Sequence, residues 1–501
     1  MMHFGRFRIL AAGAALAAVL AANPAWSATP ADTLVQAWAI DDTITLDPAE
    51  SFELSPAEFI GNAYDMLVRL DINDTSKVVP GVAESWTVSD DGLTYTFKLK
   101  KDIKFASGNP ITSADVAYSF ERAVRLDKSP AFILTQFGLT KDNVNEKAKA
   151  VDDSTFVFTV DKPYAPSFVL NCLTATVAAV VDKKLLEEHA EKVTPPTDEY
   201  KYETDYANAW LKTKSAGSGP FVIREWRANE VVILERNDNF YGEKANLKRV
   251  FYRHVKESAT QRLMLESGDV DVARNLEPGD YEAVLKNDKL STTSAAKGTV
   301  YYISLNQKNP NLAKPEVREA FKYLVDYDAI GSTLIKGIGE IRQTYQAKGV
   351  LGALDAAPYK LDVAKAKELL AKAGLKDGLS VTFDVRNGQP VTGIAESFQQ
   401  TAAQAGVKIE IIPPGDGKQT LTKYRARNHD MYIGQWGMDY WDPPNSNAEA
   451  FTSNPDNSDD ASTKTLAWRN AWDIPELTKQ TQAALLVLFG TLVVVPFQKS
   501  S

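Results

Sequence analysis

The stretch Met431–Asn445, MYIGQWGMDYWDPPN, crowds Trp436, Asp439, Tyr440 and Trp441 together at the end of an apolar run. Aromatic rings give rigid contact area, and a carboxylate among them can anchor a cation. That is chemistry for holding a ligand rather than for breaking a bond. Composition alone leaves a packing role equally open, with the rings filling the end of a sheet and Asp439 capping a turn.

Catalytic and metal-binding patterns are missing. The chain has four histidines. His3 lies in the N-terminal segment, while His189, His254 and His429 are far apart and lack H-E-x-x-H spacing, so a zinc site is not expected. There is no G-x-S-x-G elbow and no G-x-x-x-x-G-K-[ST] phosphate loop. Gly217-Ser218-Gly219-Pro220 has no following Lys and helix, and reads as a tight turn. The single cysteine, Cys172, sits in an apolar run and reads as a small buried hydrophobe. No catalytic residue, metal ligand or cofactor is predicted.

The elements that must position the aromatic–acid stretch alternate. A helix capped by Asp362 and stopped by Gly374 precedes a strand at Ser380–Val385. A helix carrying Ile394, Phe398, Ala402 and Ala405 follows, then strands at Val407–Ile412 and Asp430–Trp436. Such βαβ alternation implies a parallel sheet covered by helices, with ligands just beyond the carboxyl ends of its strands. The first half differs. Leu34–Ile40 reads as a strand, and Ser55-Pro56 as the start of a helix whose buried stripe is Ile60, Ala63, Tyr64 and Leu67. Tyr95, Phe97 and Leu99 alternate with polar residues, as in a half-buried strand. Thr112-Ser113-Ala114-Asp115 resembles a capping box opening a helix with Val116, Phe120, Ala123 and Val124 on one face. The polar run near Lys192–Lys214 reads as a surface excursion.

At 501 residues the chain exceeds one small core, since domains usually run about 100–200 residues. Its 56 Lys+Arg against 65 Asp+Glu give a net charge of −9, without the basic face of a nucleic-acid binder. Residues 1–28 carry Arg6 and Arg8, an apolar run Ile9–Ala22 and small residues at Ala25, Ser27 and Ala28. That pattern reads as a secretory signal peptide, too short to span a membrane.

The residues Pro80–Val124, PGVAESWTVSDDGLTYTFKLKKDIKFASGNPITSADVAYSFERAV, closely resemble the signature of the peptide, dipeptide and nickel class of bacterial extracellular solute-binding proteins. These are the periplasmic receptors of ABC importers. Asp47-Pro48-Ala49, Gly217–Phe221, Glu235-Arg236-Asn237, Tyr302–Asn306, Pro315–Ile330 and Trp436–Asp439 match as well, so the likeness covers roughly residues 32–485.

The resemblance implies an α/β, two-lobed periplasmic-binding-protein fold, a type II-like clamp with an extra β-rich subdomain in lobe one. Lobe one would span 29–298, with the subdomain at about 64–201, and lobe two 299–482. It further implies that Asp439 pairs with a peptide's α-ammonium, that Trp436 is the matching pocket aromatic, and that Phe52, Glu53 and Leu54 meet the ligand from the opposite lobe. Tyr440 and Trp441 are candidates by their neighbourhood. An open cleft would leave Asp439 wet in the ligand-free protein. The expected partners are a small-molecule or peptide ligand and ABC permease subunits in the inner membrane, served by cytoplasmic ATPases; nucleic acid is not expected, and the protein should be a periplasmic monomer. Residues 483–501 depart from the family and read as a truncated or frame-shifted ending. The predicted function is non-enzymatic capture of peptides. Rival readings are a secreted hydrolase of peptides or glycans, a truncated receptor without function, and, within the family, a receptor for a nickel chelate, an opine or a sugar.

Overall fold

In the computed structural model the described residues are 29–486, apart from 198–199, 275, 295–297, 348–352, 387, 413–416, 441–442 and 462–463. The signal segment, Trp441 and the unusual ending beyond Leu486 lie outside them.

Three main sheets carry the structure. The first has five strands in the order Val272–Ala273, Thr33–Trp38, Arg249–His254, Val231–Arg236 and Phe221–Arg227. The second is a four-stranded antiparallel sheet ordered Ala83–Val88, Thr94–Leu99, Thr155–Thr159 and Ala148–Asp152. Alternation shapes it as the sequence suggests: Tyr95, Phe97 and Leu99 are buried, with Phe97 6.2 Å from Phe156. One apolar cluster joins both sheets to the helix Ser113–Leu126. That helix starts with the expected capping box, in which the Thr112 amide donates to Asp115 Oδ2 at 2.8 Å.

The third sheet runs Thr299–Leu305, Met431–Gly437, Leu379–Asp384 and Val407–Ile412 around a second apolar cluster. Leu379–Asp384 is parallel to both its neighbours, as the βαβ pattern requires. The edge strand Thr299–Leu305 is antiparallel, so the sheet is mixed rather than wholly parallel. Among the described residues no helix is long and apolar enough to cross a membrane.

Two local expectations need correcting. The first helix, Leu54–Ala63, has its N-cap at Glu53, two residues before Ser55, and the Ser55 amide inside its first turn donates to the Asp42 carboxylate at 3.1 Å. The polar run Lys192–Lys214 is not all surface: Asp205, Asn208 and Leu211 are buried. Asn208 Nδ2 donates to Asp47 Oδ2 at 2.7 Å, drawing this segment into the core.

Gly217 and Gly219 do form a packing turn. The Gly219 amide donates to Ala63 O at 3.0 Å, and a Cβ on Gly217 would stand 2.2 Å from that same oxygen. Backbone cannot yield as a side chain can. Gly217→Ala should therefore cost about 1–3 kcal/mol of stability by overpacking. Urea unfolding checks this, and an unchanged midpoint would show that the turn relaxes freely.

Candidate functional site

The strands Leu379–Asp384 and Met431–Gly437 are parallel, so their carboxyl ends open on the same side. Ligands in open α/β sheets bind beyond such ends. Asp439 follows the second strand, before the helix Pro443–Thr452, and its amide donates to Ser446 Oγ at 3.0 Å. Its carboxylate meets no cation within ion-pairing distance among the described residues. Burial holds this carboxyl well above its ordinary range, the Glu449 charge adds to the rise, and Arg469 opposes it. With the lobes in contact, Asp439 is thus not the fully wet carboxylate that an open cleft would give. Glu449, likewise raised by burial, accepts from Tyr440 Oη at 3.2 Å.

Trp436 is half-buried, and its Nε1 donates to Asn447 Oδ1 at 3.2 Å. Asn447 Nδ2 in turn donates to Gln346 Oε1 at 3.0 Å, which fixes the indole from behind. Tyr440 is only 3% exposed and belongs to the apolar cluster of the first two sheets. Its ring lies 5.6 Å from Phe168. The structure therefore places Tyr440 as a contact between lobes rather than on an open wall.

The loop Phe52–Leu54 faces this region from the first lobe. Phe52 packs edge-on against Phe132 at 5.9 Å. Leu54 is 47% exposed, and its Cδ2 would stand 2.9 Å from a Cβ added at Gly437. Glu53, raised by burial, accepts an ion pair from Arg425 Nη2 at 3.6 Å. A second bridge joins Arg386 Nη2 to Asp41 at 3.4 Å. Leu54 thus comes up to Gly437, next to Trp436 in the chain, and Glu53 to Arg425, while Phe52 packs within its own lobe and Trp441 lies outside the described residues.

Sequence reasoning missed the other charges here: Asp41, Asp42, Arg386, Arg425, Glu449 and Arg469. They come from separate segments and carry no spacing signal. The one hint was position, since Arg386 and Asp439 each lie just after a strand of the same parallel pair.

A concave depression of about 360 Å³ lies at the opposite end of these strands, lined by residues including Asn306, Lys308, Arg427 and Asp430. Its charges are already met. Asp430 accepts from Asn309 Nδ2 at 3.0 Å, and Lys308 and Arg427 both pair with Asp459. The unmet charge is at the Asp439 end.

Comparison with known proteins agrees with this architecture. Residues 77–458 match the family described as bacterial extracellular solute-binding proteins, family 5 Middle. A probable D,D-dipeptide-binding periplasmic protein of Escherichia coli (strain K12) is 31% identical over 437 residues, covering 85% of this chain and 79% of that protein. A glutathione-binding protein of Pectobacterium atrosepticum is 26% identical over 424 residues, covering 84% and 75%. Among solved structures, an ABC transporter-associated periplasmic binding protein from Helicobacter pylori in complex with the peptide STSA superposes with a TM-score of 0.77 at 25% identity, covering 91% of this chain and 86% of that one. The two-lobed frame, the sheet-end cleft and the match over most of the chain lead to one assignment: the chain belongs to the bacterial extracellular solute-binding proteins of family 5.

Proposed function

We propose that this protein captures peptides with a free α-ammonium in the periplasm and hands them to an ABC permease in the inner membrane. The solute-binding role follows from the family; the peptide ligand, the compartment and the monomeric state are our reading. The observation that carries it is Asp439, a partly buried carboxylate just beyond the strand Met431–Gly437 with no cation within ion-pairing distance among the described residues. A buried charge of this kind is costly unless a partner meets it, and an ammonium supplies one through a charge-assisted bond. The names of the dipeptide-binding and glutathione-binding relatives point the same way.

In this reading residues 29–298 and 299–482 act as the two jaws, and residues 1–28 direct export. Ligand bridges the jaws and shifts the open–closed equilibrium by its differential affinity for the closed form. Phe52, Glu53 and Leu54 would contact the ligand from one side and Trp436 and Asp439 from the other, with Trp441 nearby in sequence. The protein captures its ligand and leaves it chemically unchanged.

Mass spectrometry of the small molecules released from protein purified from its native periplasm tests this directly. Peptides with unblocked amines are the expected finding. Recovery of a sugar or another ligand without an amine would overturn the peptide assignment, and turnover of a retained peptide would favour a hydrolase.

A further inference from the structure

Tyr440 belongs to both lobes. By chain position it is part of the second, three residues beyond the strand Met431–Gly437, and its Oη donates to Glu449 Oε2 at 3.2 Å on the helix Pro443–Thr452. Its ring lies in the first. It packs 5.6 Å from Phe168, which itself lies 5.4 Å from Phe137 and 5.9 Å from Tyr164. The other buried members of that apolar cluster, among the described residues, run from Ile40 to Tyr252. A ring of the second lobe thus fills a socket of the first, with its hydroxyl tied behind it.

Three ion pairs also cross between the lobes: Arg386 with Asp41 at 3.4 Å, Arg425 with Glu53 at 3.6 Å and Lys336 with Glu282 at 2.6 Å. Each sets an acid of the first lobe against a cation of the second, and each cation keeps a third or more of its side chain exposed. Pairs with that access to water favour contact by at most about fivefold each, and salt weakens them. Burying a large apolar side chain favours contact by about tenfold to a hundredfold. The ring outweighs any one of the pairs.

We propose that Tyr440 is the latch of the clamp: its ring, seated beside Phe168, raises the closed-to-open ratio enough that a measurable share of the protein is shut even when empty. This rests on the two-jaw reading and adds to it the residue that positions the jaws. Opening must draw the ring out, because the strand before it and the helix that holds its hydroxyl both travel with the second lobe. Asp439 precedes it directly, so one short segment carries both the ligand anchor and the latch. Tyr440 is a positioning residue, acting on affinity through closure.

Spin labels on Ile72→Cys and Lys376→Cys, an exposed position on each lobe, report the distance across the jaws of the full-length protein by pulsed electron paramagnetic resonance; Cys172 is buried and stays unlabelled. Stripped of ligand, the protein should show two distances. Tyr440→Ala should lower the closed-to-open ratio by about tenfold or more, and Tyr440→Phe should keep it within about twofold of wild type. Raising salt from about 0.1 M to about 1 M, which cuts the Debye length from about 10 Å to about 3 Å, should lower it less than Tyr440→Ala does. A pool of synthetic free-amine di- to tetrapeptides is the control for jaw motion and should raise the ratio in wild type. If the pool moves the jaws but Tyr440→Ala does not, or salt opens them as far, the latch is overturned and the two jaws stand. An empty wild type that is wholly open would also overturn the latch. A single distance that neither pool, salt nor variant moves would overturn the two-jaw reading with it. Opening by Tyr440→Ala with no response to the pool would support the latch and count against peptides as ligand. Should Tyr440→Ala not fold, Tyr440→Leu, with its smaller apolar plug, decides by an intermediate shift or by none.

Discussion

Asp439→Asn should weaken binding of a free-amine peptide by about 2–5 kcal/mol, the range for removing one partner of a buried hydrogen-bonded charge pair. N-acetylation of the peptide should cost a similar amount. The two losses should not add, because each deletes the same contact. Calorimetric titration of the four combinations reads this out, and full additivity would sink the ion pair. The pH dependence follows from the raised pKa of Asp439. An acid whose folded-state pKa lies above its unfolded value contributes stability that is present below the unfolded pKa and lost as pH rises through the folded one. The ligand-free closed form should therefore lose stability with rising pH, whereas peptide affinity should fall as pH drops and a proton competes for the carboxylate. In Asp439→Asn both trends should flatten. Stability of the ligand-free variant at neutral pH should not fall, since the amide keeps the shape without the charge. A turn-cap role predicts the reverse.

The largest effect on folding should come from Asp47→Ala, at about 3–5 kcal/mol, because it strands a buried guanidinium. Arg122 is 1% exposed and Asp47 0%. Arg122 Nη1 donates to Asp47 Oδ1 at 2.7 Å, and Nη2 donates to Oδ2 in the parallel position. Arg122 Nε donates to Tyr206 O at 2.8 Å, and the Ala49 amide donates to Asp47 Oδ1 at 2.9 Å. Every polar atom of this fork thus has a partner, and removing the carboxylate leaves two donors unmet. Arg122→Met should cost less, because Asn208 and the Ala49 amide still solvate Asp47. The double change Asp47→Leu with Arg122→Met should recover part of the loss, as buried ion pairs often exchange for apolar pairs with little penalty. Urea unfolding of the three variants measures this. A cost under about 1 kcal/mol for Asp47→Ala would place the pair in the range of exposed salt bridges.

Much of the fold was legible because its causes are local. The alternation of Tyr95, Phe97 and Leu99, the Thr112–Asp115 box and the Asp362 cap each need only a few neighbouring residues. What escaped was set by distant partners. The Ser55 amide reaches Asp42 from inside the first turn, and Asn208 is buried because it reaches Asp47, 161 residues away. The antiparallel edge strand Thr299–Leu305 carries the same pattern a parallel one would. At the site, Asp439 stood out by motif resemblance and by its aromatic neighbours. Arg425 could not, because a lone arginine on a helix reads as ordinary surface until tertiary packing brings Glu53 to it from the other lobe.

The nearness of Glu449 to Asp439 bears on fuel use. Shutting the jaws without cargo takes water away from two carboxylates that already neighbour each other on one lobe, with no cation paired to either, which at neutral pH demands either mutual repulsion or uptake of a proton. An ammonium relieves that conflict, so the acidic neighbour penalises idle closure more than loaded closure. An importer whose ATPases respond to a shut receptor thereby gains a guard against hydrolysing nucleotide with nothing to carry.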